Sequence, residues 1–148
     1  MRQQGEHLLF IKQPAQFAVQ CPVFLDCDAM QVVWHGHYFK YLEIARCALL
    51  QRFDYDYPQM HGSGYMWPIV DTRVKYIRPL RYAQPLVVAA RISEWENRLR
   101  MDYENRDAVS GEVLTRAHTI QVAVDAASGG MLYLCPPVLW ERLGVPAP

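Results

Sequence analysis

Four side chains with acid–base or ligating chemistry fall within twelve residues: Asp26, Asp28, His35 and His37. They stand at the junction where a helical pattern begins. The first turn of a helix has unpaired N–H groups and the positive end of the macrodipole, which together polarise a carbonyl and stabilise an oxyanion. A carboxylate held beside such donors can attack that carbonyl or activate a water against it, and both routes describe acyl transfer. No Ser in a G-x-S-x-G elbow competes for the nucleophile role. The alternative for Asp28 is a turn carboxylate that only accepts backbone N–H bonds, and Asp26 is read as that structural kind. The four donors match no zinc spacing, so no metal is expected.

The elements that must position this cluster follow from pattern. Residues 1–14 carry no sustained period and end at Pro14, an N-terminal arm. Phe17 to Leu25 is β-rich, and Pro22 confines that strand to an edge or a bulge. From Tyr38 the apolar positions Tyr41, Leu42, Ala45, Leu49 and Phe53 recur at steps of three and four, which predicts a long helix. Its few charges include Glu43 and Arg46, spaced to pair with each other. Asp54 to Trp67, with Pro58, Gly62, Gly64 and three tyrosines, reads as an aromatic loop or lid.

Four β-runs follow: Val70 to Ile77, Leu86 to Trp95, Arg98 to Asn105 and Val113 to Val124. Turn residues between them predict an antiparallel meander. A short amphipathic tail, Val138 to Leu143, closes the chain within 136–148. One helix alone is long and apolar enough to cover the sheet, so the fold class is α+β: an antiparallel sheet wrapped around a central helix.

The chain has 148 residues, 51% hydrophobic and 20% charged, the balance of a single globular domain over 1–148. Fifteen basic residues cancel fifteen acidic ones. That leaves no overall field for nucleic acid, and no apolar run is long enough for a membrane span. The basic set is twelve Arg against three Lys, with eight of the Arg between Arg73 and Arg116. Cys21, Cys27, Cys47 and Cys135 form no C-x-x-C pair, which fits free thiols in a cytoplasmic protein.

The segment from Asp26-Cys27-Asp28 through Val32-Val33-Trp34-His35 to Tyr41-Leu42-Glu43-Ile44-Ala45-Arg46 resembles the 4-hydroxybenzoyl-CoA thioesterase-like family of hotdog-fold acyl-CoA thioesterases. Pro68-Ile69-Val70, Tyr76 to Pro79 and Leu86-Val87-Val88 resemble its next strands. The resemblance implies that Asp28 is the catalytic carboxylate, nucleophile or general base, and that the His35 amide polarises the thioester carbonyl. Trp34, Gly36, Tyr38 and Trp67 are then expected to bind the acyl part, and Arg98 and Arg100 the phosphates. It also implies homodimers joined edge to edge that pair into tetramers, with acyl-CoA or an acyl carrier protein as partner. No cofactor is implied beyond the coenzyme A or phosphopantetheine of the substrate itself.

Three positions depart from the family pattern. Gln31 stands where a Gly is usual, which could alter how the loop turns. His37 replaces Asn or Pro, and Glu96-Asn97 replaces basic residues seen in some relatives. Other readings are a non-catalytic hotdog protein that binds acyl groups or an acyl carrier protein, and a hotdog dehydratase. The dehydratase lacks support from any His-Phe-Pro-Gly segment.

Overall fold

The computed structural model describes residues 14–19 and 22–148, so most of the expected arm, and Cys21, lie outside the described residues. Its elements run β1 (Ala15–Val19), α1 (Tyr38–Gln51), α2 (Tyr57–Gly62), β2 (Tyr65–Met66), β3 (Ile69–Tyr76), β4 (Leu86–Glu94), β5 (Leu99–Asp107), β6 (Val113–Gln121), β7 (Val124–Asp125) and α3 (Pro137–Leu143). Single 3-10 turns occupy Phe24–Asp26 and His35–His37. A five-stranded sheet in the order β1-β4-β5-β6-β3 is antiparallel throughout.

The period-2 pattern of β4 and β5 turns Leu86, Val88, Ala90 and Ile92, with Leu99, Met101 and Tyr103, into one buried face. Against it lies the buried side of α1, formed by Tyr38, Tyr41, Leu42, Ala45 and Leu49. This is the hotdog arrangement, a sheet curled around one helix. The tail is part of the same core: α3 buries Leu139, Trp140 and Leu143, and the Trp140 indole N–H donates to the Trp95 carbonyl at 2.7 Å.

Four expectations change. The first strand ends at Val19, and Phe24–Asp26 coils into a 3-10 turn. The segment 54–67 is partly regular, because Pro58 pre-sets the first turn of α2 and the Gln59 side chain reaches back to accept the Asp56 N–H at 3.1 Å. The last β-run divides after Gln121, and Val124–Asp125 pairs with Tyr65–Met66 instead. The meander holds only for β4-β5-β6. Residues 77–85 carry the chain from the edge strand β3 past β6 and β5 to the interior strand β4, so β3 pairs with β6. No helix among the described residues is long and apolar enough to cross a membrane.

Candidate active site

The Asp28 loop is a tight turn built by its own backbone. Asp28 N–H donates to the Val32 carbonyl at 2.8 Å, Gln31 N–H to the Asp28 carbonyl at 3.0 Å, and Cys27 pairs with Val33 beyond them. Such a two-against-one closure needs one residue in the left-handed region, and Gln31 takes it at φ 62°. The turn therefore keeps its form without the usual Gly. One carboxylate oxygen of Asp28 accepts the Met30 N–H at 2.8 Å, and the other has no hydrogen bond among the described residues. Half of the carboxylate is held and half is free.

Asp26, two residues earlier, is fully engaged. It takes the Lys40 ammonium at 2.7 Å, the Tyr41 hydroxyl at 2.9 Å and the Val23 N–H at 3.2 Å. Burial alone would raise its pKa, but these three donors hold it below the ordinary carboxylate value. Asp26 thus ties the turn to the first turn of α1, the structural role expected of it. Burial of the Tyr41 phenol, and then its bond to the Asp26 carboxylate, push that phenol in the opposite direction, above its ordinary value.

The helix start is pinned from the other side. Val33 N–H donates to the Leu80 carbonyl at 2.7 Å, Leu80 N–H to the Tyr38 hydroxyl at 3.1 Å, and the Tyr76 hydroxyl to the His35 carbonyl at 2.8 Å. Trp34 and His37 stand at the cap positions of the two helical pieces without any side-chain cap bond. The backbone N–H groups of His35 and Gly36 therefore make no hydrogen bond among the described residues. Two free donors and a half-free carboxylate are carried by one rigid junction. Burial raises the Tyr38 phenol above its ordinary value.

The remaining expected residues divide. Trp34 is half-exposed and tilts over the His35 ring at 4.9 Å, with His37 edge-on at 5.4 Å. A side chain at position 36 would meet the Trp34 ring at 2.2 Å, so a Gly lets the indole lie across the helix start. Tyr38 is buried, with its ring edge-on to Tyr76 at 4.8 Å, and holds the loop around Leu80 rather than facing an open space. Arg98 and Arg100 are engaged within their own hairpin, Arg98 by Glu94 and Arg100 by Asp102 at 3.1 Å. No described contact joins either to the Asp28 turn.

Trp67 borders a second feature, a cavity of about 650 Å3 lined also by Glu43, Arg46, Tyr57, His61 and Met66. Glu43 holds Arg46 and takes the Tyr57 hydroxyl at 2.9 Å, while Arg46 also contacts that hydroxyl. Burial works against the Glu43 charge, yet Arg46 and Tyr57 bring its pKa below the ordinary value. Arg46 is 1% exposed, and its Nη1 has no partner among the described residues. Glu43 and Arg46 were legible as a pair at spacing i, i+3. Tyr57 and His61 were missed as a group because α2, which aligns them, was read as loop.

A family model for the thioesterase-like superfamily matches residues 22–146. A Synechocystis protein named as an esterase is 31% identical over 114 residues, 76% of this chain and 68% of that protein. A Bacillus subtilis protein named as an acyl-CoA thioesterase is 27% identical over 105 residues, 71% of this chain and 76% of that one. The crystal structure of a 1,4-dihydroxy-2-naphthoyl-CoA thioesterase from Synechocystis superposes with a TM-score of 0.74 at 20% identity, over 88% of this chain and 96% of that chain. The family model spans the Asp28 turn, α1 and every strand of the sheet except β1. This chain therefore belongs to the thioesterase-like superfamily of hotdog-fold enzymes.

Proposed function

We propose that the protein hydrolyses an acyl-CoA thioester to the free acid and the thiol, with Asp28 as the catalytic carboxylate. The observation that carries this reading is the free Asp28 oxygen on the same junction as the unpaired His35 and Gly36 amides. The thioester carbonyl oxygen sits against those amides, where the helix dipole adds to their pull. Asp28 then adds to the carbonyl carbon, or takes a proton from a water that adds to it. Collapse of the tetrahedral species breaks the C–S bond and releases the thiolate. In the first route, water cleaves the acyl-aspartyl anhydride; in the second, the acid forms directly.

The catalytic unit in this reading is a homodimer, paired again into a tetramer. Phe24, Leu25, Met30 and Trp34 all lie exposed around the Asp28 turn, Leu25 to 84% and Met30 to 81%. An apolar surface of that size beside reactive groups suits a second copy that closes the site. The cavity beside Trp67 supplies room for the acyl group, with the Tyr57 and His61 edges as its polar contacts.

The test follows thiol release from a panel of aryl- and alkyl-CoA thioesters and the matching carrier-protein thioesters. Asp28→Asn should lower kcat by roughly 10²–10⁴-fold while leaving the unfolding transition in place. Equal rates in both proteins would remove Asp28 from the mechanism. Hydrolysis of carrier-protein thioesters alone would replace coenzyme A as the donor.

A further inference from the structure

The outward face of the sheet, opposite α1, holds a depression of about 720 Å3. The strand register arranges its side chains in rows. One row crosses the sheet as Arg91, Asp102, His118 and Arg73, and the next as Ala89, Glu104, Arg116 and Lys75. The two carboxylates lie on β5 and serve the cations nearest them. Asp102 contacts Arg91 at 3.5 Å and Arg100 at 3.1 Å, and Glu104 contacts Arg106 at 2.6 Å and Arg116 at 3.5 Å.

Toward β3 the pattern reverses. Lys75 stands directly opposite Arg116, and Arg73 directly opposite His118. The Arg73 and Lys75 side chains have no ion pair or hydrogen bond among the described residues. The Lys75–Arg116 pair sets two cations opposite one another, which repel and weaken the sheet. Of the two carboxylates beside this group, Asp102, opposite His118, is taken by Arg91 and Arg100, and Glu104 is shared with Arg106 and meets Arg116 only at long range in an exposed pair, so both offset little. A local choice that opposes its own fold marks a place kept for something else.

We propose that Arg73, Lys75, Arg116 and His118 together bind a phosphate-bearing anion across the β3–β6 pair. The four side chains project from two neighbouring strands, ~4.8 Å apart, at adjacent outward positions ~7 Å apart along each strand. That spacing matches one or two phosphoryl groups. Two guanidinium forks and an ammonium give three positive charges, most of which a phosphate dianion offsets and a single carboxylate does not. The site is on the face of the sheet away from α1, and it stands independently of the catalytic reading.

The experiment measures binding without turnover. Thermal unfolding and titration calorimetry are run with inorganic pyrophosphate, with adenosine 3′,5′-bisphosphate, and with NaCl at matched ionic strength. The wild type should gain several degrees in Tm with at least one phosphate compound, beyond any NaCl effect. Lys75→Gln and Arg116→Gln should each lose at least tenfold in affinity, yet unfold at an equal or higher temperature than wild type in the absence of the anion. That opposite pair of signs separates a ligand site from a structural one. Equal response to both phosphate compounds supports a free phosphate ligand, and preference for the nucleotide supports the nucleotide end of a larger one. A wild-type Tm that tracks ionic strength alone, or variants that bind as tightly as wild type, would overturn the proposal.

Discussion

At position 31 the turn demands a left-handed backbone, and the side chain there makes no hydrogen bond among the described residues. Gln31 holds φ 62° because the closures on either side, Asp28 N–H to Val32 and Gln31 N–H to Asp28, leave the backbone no other path. An L-residue there carries roughly 1 kcal/mol of strain that Gly lacks, partly offset by the greater freedom of Gly in the unfolded chain. Gln31→Gly should therefore stabilise the protein by about 0.5–1 kcal/mol. Gln31→Val, β-branched at a positive φ, should destabilise it by about 1–2 kcal/mol. Urea unfolding of the two variants checks both signs, and a stabilising Val would show that the turn opens in solution. Thioester hydrolysis should survive Gln31→Gly, since the Asp28 carboxylate keeps its Met30 N–H.

Among the elements, α1 carries the site, and Asp26 is the side chain that fastens the loop to it. Its depressed pKa makes a signed prediction. A carboxyl whose folded pKa lies below its unfolded value stabilises the fold at pH above the unfolded value, near 4, and loses that contribution as pH falls through the folded value. Asp26→Asn should thus cost about 1–3 kcal/mol at pH 7, with the gap from wild type closing as the pH falls below about 4. A gap that stays constant down to pH 2 would assign the loss to shape rather than charge. The sequence already showed α1, because Tyr41, Leu42, Ala45 and Leu49 keep a 3.6-residue period that nothing interrupts. It showed the Asp28 junction too, since Asp26, Asp28 and His35 are neighbours along the chain. What it hid depends on distant partners. β3 joins β6 across about forty-five residues of chain, and no turn residue announces that pairing. α2 was hidden differently: its Tyr and Gly content obscured the Pro58 and Gln59 signals that do start a helix. Arg98 and Arg100 read as candidates for phosphate from type alone, while the Glu94 and Asp102 that occupy them became visible only through the hairpin register.

At the scale of the whole molecule, β3 is the exposed edge of the sheet on the side of the Tyr76 contact to the helix start. Its core-side positions should follow the alternation of the other strands, and Val74 packs against the core accordingly. Val70, at the bulge between Ile69 and Asp71, is 56% exposed, and Ile69 and Ile77 stand exposed near the ends of the strand. An eight-residue edge with unpaired backbone and apolar side chains invites another strand. In the proposed dimer a second β3 fills that edge and brings the partner's surface over the Asp28 turn. Activity then depends on association, so specific activity should fall on dilution through the dimer Kd. Val70→Asp should weaken the dimer by at least tenfold, because a carboxylate would lose its water at the new contact. Sedimentation velocity and thiol release across the same concentration range measure the two effects together. In Val70→Asp, activity should recover at high protein concentration, where the dimer re-forms, whereas Asp28→Asn should stay inactive at every concentration. Full activity from a monomeric Val70→Asp would place the whole catalytic unit within one chain and sink the shared-site reading.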